Sequence, residues 1–101
     1  MEKVYVVVYG WDGDSKVDGS FCSWKRNIGV AKSLEEATAM CRNSRKEKIL
    51  EIVAEDPKAE MNIDEDGEGT DKTYSLDFDN DLDGYLGIYT WWIEPFDLIG
   101  S

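Results

Sequence analysis

Residues 77–90, DFDNDLDGYLGIYT, set an acidic side chain at positions 77, 79, 81 and 83 and then run directly into aromatic sequence. Carboxylates at every second position can serve three kinds of chemistry. The first is to fold around a hard cation, which takes about six to eight oxygens. Asp79, Asp81, Asp83 and Gly84 match the D-x-D-x-D-G opening of a calcium loop, and Asn62, Asp64, Asp66 and Gly67 match it again. Such a loop closes on a bidentate glutamate. Here the closing position is Thr90 in the first window and Thr73 in the second, and a hydroxyl supplies a single weak oxygen. The sequence after Gly84 is also strand-like, where a calcium loop would enter a helix.

The second chemistry is solvation: the acids face water around the Asp-Gly turn of LDGY. The third is macromolecular. A nucleic-acid-binding protein meets regularly spaced phosphates with a groove of Lys and Arg, and a rigid scaffold carrying Asp and Glu at similar intervals fits the same groove. Carboxylates two apart on a strand lie about 6.7 Å from one another and repel by about 0.6 kcal/mol even in water. A row of them therefore costs stability.

Catalysis finds little support. The chain has no histidine, the usual general base near neutral pH, so neither Cys22 nor Cys41 has an imidazole partner. No glycine-rich phosphate cradle follows a strand. Two cysteines are too few for a disulfide scaffold and sit in apolar surroundings, which suits buried reduced thiols, with a single bridge as the alternative. The expectation is a protein that is not an enzyme and holds no cofactor.

The net charge of −11 is divided sharply along the 101 residues. Residues 1–50 carry nine Lys or Arg against seven Asp or Glu, whereas residues 51–101 carry two against fifteen. Between Glu55 and Asp83 there are twelve acidic side chains, balanced by Lys58 and Lys72. Solubility asks for a net charge of only about 2 to 8 in a small domain, so this density calls for another reason.

The elements that position these residues follow from periodicity. Val4, Val6 and Val8 alternate with Tyr5, Val7 and Tyr9, which predicts a central strand apolar on both faces. The turn-rich WDGDSKVDGS leads to a second strand in SFCSWKR. Ser33 with Glu36 three residues later forms a capping box, opening a helix whose apolar stripe is Leu34, Ala37 and Cys41 and whose end is served by Arg42, Arg45 and Lys46. KILEIVAEDP satisfies both helical and strand periods, and its β-branched content with the Pro57 stop favours a strand. Residues 55–72 then read as a long acidic loop, of the kind that often carries function. TYSLDFD predicts a half-buried strand with Tyr74, Leu76 and Phe78 inward and Asp77 and Asp79 outward. GYLGIYTWWIEPF closes the chain as a two-faced strand. The expected fold is α+β: one compact domain over residues 1–101, an antiparallel sheet of about five strands with one main helix on one face, in the order β-β-α-β-β-β.

Small size, absence of histidine, this α+β pattern and the acidic runs IDEDGEGTD and DFDNDLDGY resemble the small acidic proteins with which bacteriophages disable host defences, anti-CRISPR proteins among them. The resemblance lies in size and composition over the whole chain and involves no diagnostic motif. It implies a stoichiometric inhibitor acting in the host-cell cytoplasm, whose partner is a CRISPR effector or another nuclease with a basic surface; direct contact with nucleic acid or membrane is not implied. MEKVYVVVYG lacks the features of a signal peptide, consistent with a cytoplasmic protein. The partner-binding candidates are Asp64, Glu65, Asp66, Glu68 and Asp71 on the loop, and Asp77, Asp79, Asp81 and Asp83 on the strand and turn. Trp92, Tyr85 and Trp11 are anchors where exposed and core where not. The alternatives are a calcium-binding module using Asp79, Asp81 and Asp83, and an acidic structural or assembly protein.

Overall fold

The structure, a computed structural model, describes residues 3–15, 21–80 and 85–97; for residues 14, 15, 21, 22, 79, 80, 85 and 86 it describes the backbone. Five strands and a helix follow in the order β1 (Lys3–Ser15), β2 (Phe21–Ala31), α1 (Leu34–Glu55), β3 (Glu60–Asp66), β4 (Thr73–Asn80) and β5 (Tyr85–Asp97), with a short 3-10 turn at Gly69–Asp71. The sheet is antiparallel throughout, ordered β2-β1-β5-β4-β3. This is the expected α+β architecture. No helix among the described residues is long and apolar enough to cross a membrane.

β5 lies at the centre with β1 beside it, and both are apolar enough on both faces to take interior positions. Direct partners in an antiparallel pair share a face, so the register separates the two sides of the sheet. Val7 pairs with Ile93, Tyr9 with Trp91, Trp91 with Tyr74, and Tyr89 with Leu76, and these side chains meet Ala37, Cys41 and Ile52 of the helix in one buried cluster. Trp91 is fully buried, and its indole N–H donates to Ser44 Oγ at 2.9 Å, which satisfies the polar end of the ring. Cys41 is a buried free thiol, pushed up to about 11 by its burial, with Arg45 pulling the other way. The Cys22 side chain lies outside the described residues.

One residue of β2 breaks the alternation. Val7 faces Gly29 but Val8 faces Asn27, so Ile28 is bulged and the strand changes phase. As a result Arg26 and Trp24 before the bulge, and Gly29 and Ala31 after it, all share the helix side. There Tyr9 meets Trp24 edge-on at 4.9 Å, and the Arg26 guanidinium lies 4.7 Å above the Trp24 ring.

The helix begins as expected: Ser33 accepts from the Glu36 N–H at 3.1 Å. The return bond of the box comes from Lys32 N–H to Glu36 Oε2 at 3.3 Å, one residue earlier than the standard arrangement. The helix then runs on to Glu55, through the segment KILEIVAE expected as a strand. The buried positions Ala37, Cys41 and Ile52, with Ser44 and Lys48 turned to the sheet, form one continuous helical stripe. Packing of Ile52 on that stripe outweighs the β-branched propensity. Arg42, Arg45 and Lys46 therefore lie in mid-helix and do not serve its C-terminus.

The third strand is β3, within the span expected as an acidic loop. Its residues lack β-branched content apart from Ile63, but a continuous ladder to β4, Glu60 with Asp79 through Asp66 with Thr73, supplies the backbone hydrogen bonds that propensity does not. Gly67, at φ 87°, and the turn at Gly69–Asp71 then reverse the chain into β4.

Candidate functional site

The helix covers one face of the sheet and leaves the other open. Across the open face the register stacks residues in rows: Val8, Trp92, Thr73 and Asp66; then Gly10, Thr90, Ser75 and Asp64; then Asp12, Ile88, Asp77 and Asn62. The β1 and β5 half of this face is mainly apolar and aromatic, with Asp12 and Glu94 as its exposed acids among the described side chains, and the β4 and β3 half is acidic. On the apolar half Phe96 is 52 % exposed and Val30, on the neighbouring β2, is 61 % exposed. Trp92 is half-buried: its ring lies across Gly10, where an added Cβ would come within 3.3 Å of it. Beside it a shallow groove of about 360 Å³ is lined by Gly10, Asp12, Ser23, Lys25, Thr90 and Trp92.

On the acidic half, Glu60, Asp64 and Asp66 project from alternate positions of β3 and Asp77 projects beside them from β4. All four are exposed, and among the described residues no cation pairs with any of them. Carboxylates at this spacing are screened by water and ions alone, so they hold a field able to steer a cationic partner.

Glu65 behaves differently. It is at an odd position of β3 and turns to the helix side, where Arg42 grips it with Nε at 3.2 Å and Nη2 at 2.9 Å, Arg45 Nη2 at 2.8 Å and Lys72 Nζ at 2.9 Å. The hydrogen bonds of Arg42 and Lys72, joined by that of Arg45, hold its carboxyl far below the usual carboxylate range. Beneath the cluster lies Tyr74, fully buried, with the charged ends of Arg42, Arg45 and Lys72 between 5.6 and 5.8 Å from its ring. Glu65 thus ties helix to sheet and takes no part in the open face. The same cluster accounts for the two arginines that the sequence suggested for a helix end.

Of the other candidates, Glu68 and Asp71 are exposed in the turn between β3 and β4, at the end of the sheet. Asp79 pairs with Glu60 in the ladder, but its side chain, like that of Tyr85, is outside the described residues, as are Asp81 and Asp83 altogether. The cation reading of 79, 81 and 83 falls there too. The second calcium-like window is settled by the backbone: Asn62, Asp64 and Asp66 are strand residues in register with Asp77, Ser75 and Thr73, so their oxygens are spread along a line and do not converge on one ion. Trp11 stands on the helix side, its indole against Gly87 and its ring 6.4 Å from Tyr89, and is not part of the open face.

The structure thus gathers Asp64, Asp66 and Asp77, separates Glu65, and adds Glu60 and Asp12, which the sequence did not single out. The even spacing of Glu60, Asn62, Asp64 and Asp66 was the signal for Glu60. Nothing local marks Asp12, which reaches this face through the pairing of the first strand with the last. Comparison with protein-family models, with curated proteins and with solved structures gives no match, so the site stands on this chain's own residues.

Proposed function

We propose that this protein is a stoichiometric inhibitor that binds another protein, presenting the acidic half of its open sheet face in place of a nucleic-acid backbone. The target is a basic, nucleic-acid-binding surface of a nuclease, a CRISPR effector being the kind suggested by the resemblance in size and composition, met in the host-cell cytoplasm. The single observation that carries the reading is the shared direction of Glu60, Asp64, Asp66 and Asp77, exposed and without a cation of their own among the described residues. Trp92 supports it from the neighbouring strand, since a half-buried indole beside a charged field is the kind of anchor that concentrates binding energy. The role is occupancy, with no chemical step.

The test is nuclease cleavage, followed with and without an equimolar amount of the protein, and complex formation measured across salt. Charge-driven occupancy predicts that raising salt from 50 to 200 mM weakens the complex by about tenfold or more. The combined change Asp64→Asn, Asp66→Asn and Asp77→Asn is expected to abolish inhibition while the fold is retained. A complex indifferent to salt and to these changes would show that the acids are not the contact.

A further inference from the structure

We propose that the outer edge of β3 receives an extended basic segment of the partner protein as a sixth strand paired along residues 60–63, with Lys or Arg on the open face beside Glu60 and, past the paired stretch, reaching toward Asp64 and Asp66, and with an apolar side chain against Ile63. This rests on the acidic-surface reading above and specifies how that surface is engaged. β3 ends the sheet, with β4 as its one strand neighbour among the described residues, so a row of its backbone N–H and C=O groups faces outward.

Proteins guard such an edge with lysine, proline or a bulge. The opposite edge, β2, has both a bulge and the cations Lys25 and Arg26. β3 has neither lysine nor proline, and its register to β4 is unbroken from Glu60 to Asp66. Its guard is negative charge, which repels the β3 of a second copy and favours a cationic strand.

The two sides of β3 ask for different side chains. The open face presents Glu60, Asp64 and Asp66, whereas the helix side presents Ile63, 52 % exposed. A segment alternating basic and apolar residues answers both at once, because strand side chains alternate between faces. The Asp64–Glu65 peptide is already engaged, Glu65 N–H donating to Asp64 Oδ1 at 2.9 Å and Arg45 Nη1 donating to the Asp64 carbonyl at 3.0 Å; because the two groups of a trans peptide point to opposite sides, one of these bonds closes the far end of the outer edge. The open stretch is residues 60–63.

The experiment titrates the full chain at low salt with synthetic peptides of about eight residues, an ordinary strand length. One peptide alternates Arg and Val, and a second groups the same residues at opposite ends. The alternating peptide is also made N-methylated at alternate peptide nitrogens, in each of the two phases. The expected result is that the alternating peptide binds about tenfold more tightly than the grouped one and that one N-methylation phase removes the gain while the other spares it. Amide hydrogen exchange should slow at the outward-facing amides among residues 60–63, and Ile63→Ser should weaken the alternating peptide with no change in melting temperature. Equal binding of both orders, with no effect of N-methylation, overturns the added strand and leaves the acidic surface standing. Exchange slowed along β2 in place of β3 overturns it as well. No binding of either peptide removes the acidic-surface reading itself.

Discussion

Replacing Glu65 by glutamine would leave Arg42, Arg45 and Lys72 crowded around Tyr74 with no carboxylate between them. The expected cost is about 1–2 kcal/mol, the range for hydrogen bonds to charged groups at a partly exposed site, read as a lower midpoint in urea unfolding with unchanged slope. The pH dependence has a definite sign. The folded state holds this carboxyl below its ordinary value of 4.5, so the unfolded chain takes up the proton first. The contribution is complete above about pH 5 and is lost progressively as the pH falls. Wild type should therefore lose its advantage over Glu65→Gln in acid and keep it at neutral pH. Glu65 also shows why composition alone misleads at this scale. Asp64, Glu65 and Asp66 are consecutive and chemically alike, yet the pleat of one strand sends the middle carboxylate to the helix and its neighbours to the open face.

At the scale of elements, the helix and β3 are where sequence and structure part. Ile49, Leu50, Ile52 and Val53 fit both a period of 3.6 and a period of 2, and the choice is made by what Ile52 meets across the sheet. Ile52 is 6 % exposed in the core and Leu50 is 60 % exposed. Ile52→Ala should therefore cost about 2–5 kcal/mol, whereas Leu50→Ala should change stability by under about 0.5 kcal/mol; a strand would have buried both residues on one face and made the two changes comparable. Thermal unfolding of the two variants decides this. The two-faced strands β1 and β5, the Ser33 cap and the inward set Tyr74, Leu76 and Phe78 were legible because period and turn chemistry agree there. β3 was not, since its pairing to β4 supplies what Glu60–Asp66 lacks in propensity. The gathering of Asp64, Asp66 and Asp77 was not legible either, because it depends on the register between two strands, and the bulge at Ile28 that carries Trp24 to the helix side leaves no trace in composition.

Taken whole, the molecule commits Arg42, Arg45, Lys48 and Lys72 to the helix side, whereas Glu60, Asp64, Asp66 and Asp77 stand on the other, with Lys25 across the sheet on β2. Mutual repulsion among these four acids makes them a burden on the isolated chain. Asp66→Asn is expected to raise stability by about 0.5 kcal/mol at low salt, and the gain should vanish as screening shortens toward about 3 Å at 1 M; melting temperatures across a salt series measure it. A loss of stability at low salt would mean that Asp66 is held by a favourable contact. The strand order carries a further consequence. The central strand, β5, is the last of the described strands and lies against the first, β1, antiparallel from Lys3 opposite Asp97 to Ser15 opposite Tyr85. The hairpin of β1 and β2 is therefore synthesised well before Trp91 and Ile93, which cover Val7 and Tyr9. Their pairing must bridge β2, the helix, β3 and β4, and such long-range pairing raises contact order and slows folding, with an interval during translation when the helix side of β1 has no cover from β5.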